Sequence, residues 1–272
     1  MAGKGTLWIL FAAALIGLAE VTARARKEIV LGGKVYNIYR IPRLGRFYID
    51  KGTDDSTKKQ LAQKIYWEEN IGDNLARNAR PGSIAVDAGS HMGLHTVRLS
   101  KAVGESGQVY SFEPQIKMHR EQQGNLKLNK INNVKLFRRA LGAESKMVEM
   151  CPYNPTNEGG QLVGTGGDKV QMIKLDDLNL ENVSVIKADV EYYEYLLFKG
   201  AEQTIKRCQP VIIFELIPGG SPYDFCPEEM RTTWFKSKEL LESWGYTVEL
   251  IYGADYIAFP PHMKDSHPQV SR

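Results

Sequence analysis

From Ser83 onward the chain has a regular rhythm, without an internal sequence repeat. SIAVDAG, GQVYSFEP, NNVKLFRRAL, VSVIKADV and PVIIFEL are short apolar runs, and helix-patterned segments such as GLHTVRLSKAV, MHREQQGNLKLNK and EYLLFKGAEQTIK lie between them. Runs rich in Val, Ile and Phe with little polar alternation predict strands buried on both faces. Strands alternating with helices predict a parallel sheet with helices on both sides. Near the end, PEEMRTTWFKSKELLESW reads as a helix, and YTVELIYGADYIAFP as two strands around a Gly-Ala-Asp turn. So short a link makes that pair antiparallel. The expected fold is a doubly wound α/β sheet, mostly parallel, with an antiparallel strand near the C-terminus.

The 272 residues suffice for one sizeable core and a small appendage. The appendage is residues 26–80: a hairpin-like EIVLGGKVYNIYRI, then a helix over DDSTKKQLAQKIYWEENI capped by Asp54, Asp55 or Ser56. ARPGS breaks the pattern before the sheet domain, 81–260. Residues 142–180 are less regular, with room for short strands, and 261–272 reads as a disordered tail. Thr6 to Ala19 is fourteen residues without a charge, flanked by Lys4 and by Arg24, Arg26 and Lys27. That length makes residues 1–25 a signal peptide or signal-anchor, with a secretory or membrane-associated location and membrane association through this segment. Cys151, Cys208 and Cys226 form no CxxC pair, so one disulfide or three thiols are both allowed. The net charge of +3 is scattered without a stripe, so no nucleic-acid partner is expected. Nothing here sets the oligomeric state.

In open α/β sheets, ligands bind outside the carboxyl ends of the strands. The residues there are Asp87, Glu113, Asp189 with Glu191, and Glu215, so four of five strands end in acid. The first turn, DAGSHMGLHT, brings Gly89 and Gly93 between strand and helix, where glycine allows close backbone approach. His91 interrupts the GxGxxG dinucleotide fingerprint. Glu113, at the end of the next strand, can hold two ribose hydroxyls. An acid leading into the turn suits an amino-bearing ligand better than a diphosphate, and S-adenosylmethionine fits. Asp87, Gly89, Ser90, His91, Gly93 and Glu113 are the candidate cofactor residues. A nicotinamide-dependent oxidoreductase or epimerase is the alternative. The missing fingerprint opposes it, although Tyr195 and Lys199 fit a Tyr-x-x-x-Lys pattern.

Asp189 and Glu191 are the catalytic candidates, one of them a general base. Strand alternation would point them to opposite sides. Such a pair could instead bind a divalent cation. His91 and His95 are four apart, but the ligand set around them is incomplete, and no metal site is expected. Trp67, with Glu68 and Glu69, either folds over the cofactor or fills core. Asn182-Val-Ser184 is a glycosylation sequon at a strand entrance.

SIAVDAGSHMGLHT, QVYSFEP, the series Asn125, Asn129, Asn132-Asn133-Val134, LDD at 175–177, KADVEYYE and PVIIFEL together resemble FkbM-type methyltransferases, from about Ile84 to about Phe259. The resemblance implies the class I S-adenosylmethionine-dependent (Rossmann-like) fold and methylation of hydroxyls, often on sugars or other small acceptors. It implies that Asp87, Gly89 and Gly93 line the methionine and sulfonium region. It also implies that Glu113 takes the ribose, and that Asp189 and Glu191 lie beside the methyl group or acceptor. Two departures stand out. Ser90 and His91 replace Ala and Asn in the turn, and Tyr192 replaces a glycine. The second is expected to narrow the acceptor pocket, change the acceptor or lower activity. A catalytically impaired binding protein of this fold is therefore a third reading.

Overall fold

The computed structural model describes residues 28–31, 33–217, 226–264 and 270. The chain begins with β1 (Ile29–Leu31), β2 (Lys34–Ile41) and β3 (Gly45–Asp50), an antiparallel meander. The hairpin is as expected, and β3 is an addition. Two helices follow, α1 (Ser56–Ala62) and α2 (Glu69–Asn78). Asp55 caps α1 by accepting from the Lys58 N–H at 2.8 Å. The one helix expected over this stretch is broken because Lys64 and Glu68 take left-handed φ of 64° and 55°.

The sheet domain runs β4 (Ile84–Ala88), α3 (Leu94–Val103), β5 (Gln108–Phe112), α4 (Ile116–Leu128), β6 (Val134–Phe137) and β7 (Ala140–Leu141). Next come β8 (Lys146–Met150), β9 (Val163–Gly164) and β10 (Lys169–Ile173), then β11 (Val183–Ala188). The chain continues with α5 (Glu194–Lys199), α6 (Glu202–Cys208) and β12 (Val211–Glu215). It closes with α7 (Glu228–Thr233), α8 (Ser237–Ser243), β13 (Thr247–Tyr252) and β14 (Asp255–Phe259).

The central sheet has seven strands in the order β13-β14-β12-β11-β4-β5-β6. β12, β11, β4, β5 and β6 are parallel, and β14 is antiparallel to both of its neighbours. Period-two alternation divides each strand between two cores. Ala85, Val109, Val185 and Ile213 face one side with Ile71, Leu75 and Leu99. Val86, Phe112, Ile186 and Phe214 face the other with Leu197, Phe198 and Leu241. This two-sided burial explains the lack of polar alternation in the sequence. β8, β9 and β10 join β7 in a small second sheet beside the carboxyl end of the first.

The appendage packs as part of the same body. Phe47, Ile49, Leu61 and Tyr66 share a core with Met92, Leu94 and Val97. Asn125 on α4 and Asn129, which caps its end, extend the β3 edge: they accept from the backbone N–H groups of Tyr48 and Arg46, each at 2.8 Å. Cys151, Cys208 and Cys226 form no disulfide. The segment read as a disordered tail opens with a 3₁₀ turn, Pro261–Met263, and Met263 and Val270 pack on the core. Among the described residues no helix is long and apolar enough to cross a membrane. The signal segment read over 1–25 lies outside those residues, as do most of the loop before α7 and most of the tail.

Candidate active site

The turn after β4 is built around Gly89. It takes φ 72°, and a methyl group there would drive into the Asp189 carbonyl oxygen. Glycine lets the ends of β4 and β11 close together. The Gly89 and Ser90 N–H groups both donate to the Phe112 carbonyl at 3.0 Å. Ser90 Oγ donates to Gln122 Oε1 at 2.9 Å. His91 adopts φ 50°, a conformation that histidine, like asparagine, tolerates better than most residues. Its backbone N–H thereby donates to Glu113 Oε2 at 2.7 Å, and the Gln115 N–H donates to Oε1 at 2.8 Å. Each Glu113 oxygen keeps a lone pair for a ligand. Burial raises the Glu113 pKa to about 7, against the pull of those two N–H groups.

Two of the predicted cofactor residues do other work. Asp87 lines neither cavity described below. It is fully buried, and its Oδ2 accepts from Thr96 Oγ1 at 2.5 Å, tying β4 to α3. Gly93, at φ 91°, starts α3 with its bare Cα against Gln122.

After β11 the chain does not continue as a strand. Glu191 and Tyr192 take consecutive left-handed φ of 54° and 69°. This turns the chain back, so Asp189 and Glu191 line the same cavities rather than opposite sides. The alternation expected for them is overturned by that pair of dihedrals. Lys187, buried in β11, donates to Asp189 Oδ2 at 2.9 Å and to the Gly89 carbonyl at 3.1 Å. Glu194 opens α5 and accepts from the Val190 N–H at 2.9 Å. Burial, then the neighbouring carboxylates Asp189 and Glu194, raise Glu191 to about 8. Burial and the same neighbourhood raise Glu215 to about 9 and Asp255 to about 7.

Oxygens of Asp189, Glu191 and Glu215 all lie within 4.8 Å of one another. That spacing would admit a cation, and the Lys187 ammonium already pairs with Asp189 there. His95 is engaged elsewhere: its Nε2 lies 3.0 Å from Glu68 Oε2. Burial opposes the Glu68 charge, but His95 overcomes it and holds the carboxyl at about 2.

Two adjoining cavities open at the carboxyl end of the sheet and share Gly89, Glu113, Gly159, Asp189 and Glu191. One is narrow and mostly apolar, walled by Phe112, Leu141, Met150, Val163 and Val190. The other, of about 300 Å³, is polar and acidic, with His91, His95, Lys187 and Glu215 in its wall. Trp67 and Glu68 line it too, as do Ser56 and Thr57. Trp67 packs against the core that holds Phe47 and Met92 and also lines this cavity, so both readings of it from sequence apply. Ser56, Thr57, Asn157 and Gly160 were not anticipated. Lys187, one lysine inside an apolar strand, was a signal open to reading.

Tyr192 lines neither cavity. Its ring meets Trp234 edge-on, with centroids 5.4 Å apart. The expected narrowing of the pocket is replaced by backbone strain, since a left-handed φ costs a non-glycine residue roughly 1–2 kcal/mol. Tyr192→Gly should therefore be more stable than Tyr192→Ala by about 1 kcal/mol, although both lose the ring contact. Denaturant melts check this, and the reverse order would show that the position is unstrained.

The strand order, the glycine turn after β4 and the acid ending β5 define a class I methyltransferase fold. The model of the Methyltransferase FkbM domain matches residues 87–247. The chain belongs to that family and is a methyltransferase. The chain is similar to three solved structures. A methyltransferase FkbM from Methylobacillus flagellatus KT is 15% identical over 74% of this chain and 57% of its own, at a TM-score of 0.47. A SAM dependent methyltransferase from Aquifex aeolicus is 18% identical over 76% of this chain and 93% of its own, at 0.42. An rRNA methylase from Streptococcus thermophilus is 14% identical over 69% and 91%, at 0.39. At these values they say nothing of this chain's substrate. Among curated proteins no sequence matches.

Proposed function

We propose that this chain transfers the methyl group of S-adenosylmethionine to a hydroxyl of a sugar, glycan or other small acceptor. The observation that carries this reading is the convergence of Glu113, Asp189, Glu191 and Glu215 on two adjoining cavities with one buried ammonium, Lys187, among them. A ligand bearing a sulfonium and an amine would draw these crowded acids toward their charged forms, and Glu113 offers one free lone pair on each oxygen to a ribose diol. The basic residues are scattered without a stripe that could track a phosphate backbone, which favours a small acceptor over a nucleic acid.

When bound, S-adenosylmethionine supplies an electrophilic methyl on a positively charged sulfur. The chain's own part is alignment and proton removal. Gly89, Ser90 and His91 shape the turn beside the cofactor, and Glu113 holds the ribose. Asp189 is paired with Lys187, which leaves Glu191, raised toward neutrality, as the better base. The Glu191 carboxylate would take the proton that the acceptor hydroxyl gives up on methylation.

Methyl-labelled S-adenosylmethionine, offered with a panel of hydroxylated glycans and lipids, tests this reading. Label in a base-stable ether is the expected product. Label on nitrogen or carbon would contradict it, and cofactor binding with no transfer to any acceptor would favour the impaired-protein reading.

The uncharged Thr6–Ala19 run supports a secretory or membrane-associated location. N-terminal sequencing and fractionation of the mature protein check it. A start near Ala19–Ala25, or an intact chain in the membrane fraction, is expected. An intact Met1 in a soluble cytosolic fraction would oppose it.

A further inference from the structure

The methyltransferase family match begins at residue 87, so the whole appendage lies outside it. Yet the most buried cation among the described residues belongs to the appendage. Lys58, on α1, is 0% exposed. Its Nζ lies 2.9 Å from Asp50 Oδ1, 2.7 Å from Glu121 Oε2 and 2.5 Å from Glu158 Oε2. Lys117, on α4, approaches the same carboxylates, at 2.8 Å from Glu121 and 2.6 Å from Glu158. Tyr36 and Tyr153 donate their hydroxyls to Glu121 and Glu158 at 2.9 and 2.5 Å. The three carboxylates lie close enough together to hold a metal ion, and two ammonium groups already fill that role. Burial disfavours the Lys58 charge, but Glu121, Glu158 and Asp50 outweigh it and hold its pKa above the ordinary value.

The knot joins parts far apart in sequence, and one of them leads to the active site. Glu158 is held through its side chain and through both of its backbone polar groups. Its carboxylate takes Lys58, Lys117 and the Tyr153 hydroxyl, its N–H donates to Asp55 Oδ2 at 2.9 Å, and its carbonyl accepts from Gln115 Nε2 at 2.8 Å. The neighbours of Glu158 on either side, Asn157 and Gly159, line the cavities, and so does Gly160. Gln115 in turn donates its backbone N–H to Glu113. Two of these five partners, Lys58 and Asp55, come from the appendage, and Lys58 is the one with no exposure to water. Glycine at 159 and 160 gives the loop little conformational restraint of its own, so the anchor at Glu158 must supply it.

We propose that Lys58 is a positioning residue for the cofactor site: through Glu158 it fixes the 152–161 loop over the two cavities, so the appendage is an integral wall of the site. This rests on the cofactor reading above for its binding readout, but the link itself can be read without a ligand.

The test uses Lys58→Met and the double variant Lys58→Met with Asp50→Asn. The double variant restores the knot's charge balance while leaving the Lys58–Glu158 link cut. Hydrogen exchange over 152–161 should rise in both. The dissociation constant for S-adenosylmethionine should rise about tenfold in both, as expected when a supporting group is lost. The melting temperature should recover toward wild type in the double variant while the binding defect persists. A purely structural lysine would show binding that recovers with stability. Unchanged exchange over 152–161, or a dissociation constant that tracks the melting temperature, overturns the proposal. Should neither variant fold, Glu158→Gln cuts the same link from the loop side, with the same expected readings and the same contrary ones. If the wild-type protein binds no S-adenosylmethionine, the cofactor reading falls, and exchange alone still decides whether Lys58 holds the loop.

Discussion

Replacing Glu113 by alanine should weaken S-adenosylmethionine binding about a hundredfold or more. The carboxylate would form two charged hydrogen bonds to the ribose, each worth roughly 1.5–3 kcal/mol. The lower end of their sum, about 3 kcal/mol, is already a factor of about 10² in affinity. The truncation also removes the acceptor for the His91 and Gln115 N–H groups, so the turn after β4 loosens at the same time. Glu113→Gln keeps an acceptor for one of them and should lose less. Because burial lifts the Glu113 pKa to about 7, the ionised acceptor becomes fully available only above neutrality. Affinity in the wild type should therefore rise with pH through this range, and that rise should be absent in Glu113→Gln. Calorimetric titration reads both effects. Affinity unchanged in Glu113→Ala would remove the ribose assignment.

Glu191→Gln should lower kcat by about 10²–10⁴, the usual worth of a positioned base. Asp189→Asn should also cut turnover while leaving cofactor affinity nearly as in the wild type, since it removes charge but keeps a hydrogen-bonding group beside Lys187. The pH profile separates the two residues. A base works only when ionised, and Glu191 ionises near 8. Below that pH, kcat/KM should climb about tenfold per unit and then level off. In Glu191→Gln the climb should be lost, whereas in Asp189→Asn it should remain, displaced to lower pH, because Asp189 is one of the charges that raise Glu191.

Folding responds with the opposite sign. Glu191 and Glu215 hold protons in the folded state that the unfolded chain releases near 4.5. Their contribution to stability is full below that pH and is lost as pH rises through about 8 to 9. A bound cation in the cavity would offset the loss.

The sheet was legible in the sequence because its strands are buried on both faces. Val185, Ile186, Val211, Ile212 and Ile213 must all be apolar, whichever way they point. The strand-end acids were legible for a related reason, since an acid closing an apolar run marks where the core meets the site. What escaped was non-local. β3 has only Phe47 and Ile49 as inward signals, and its edge is completed by asparagines on α4 and at its end. The appendage helix broke at Lys64 and Glu68, which carry no glycine or proline to announce a break. Glu191 and Tyr192 left the strand by a conformation their residue types disfavour, so the facing of Asp189 and Glu191 could not be read from alternation. Lys58 and Glu158 stand a hundred residues apart, and no local pattern joins them.

The central claim is that the cavities sharing Glu113 are built for S-adenosylmethionine and not for a nicotinamide dinucleotide. Titrating the wild-type protein with each ligand by calorimetry tests it most directly. Saturable binding of S-adenosylmethionine with no heat from the dinucleotide is the predicted result. Binding of the dinucleotide, with none of S-adenosylmethionine, would contradict it.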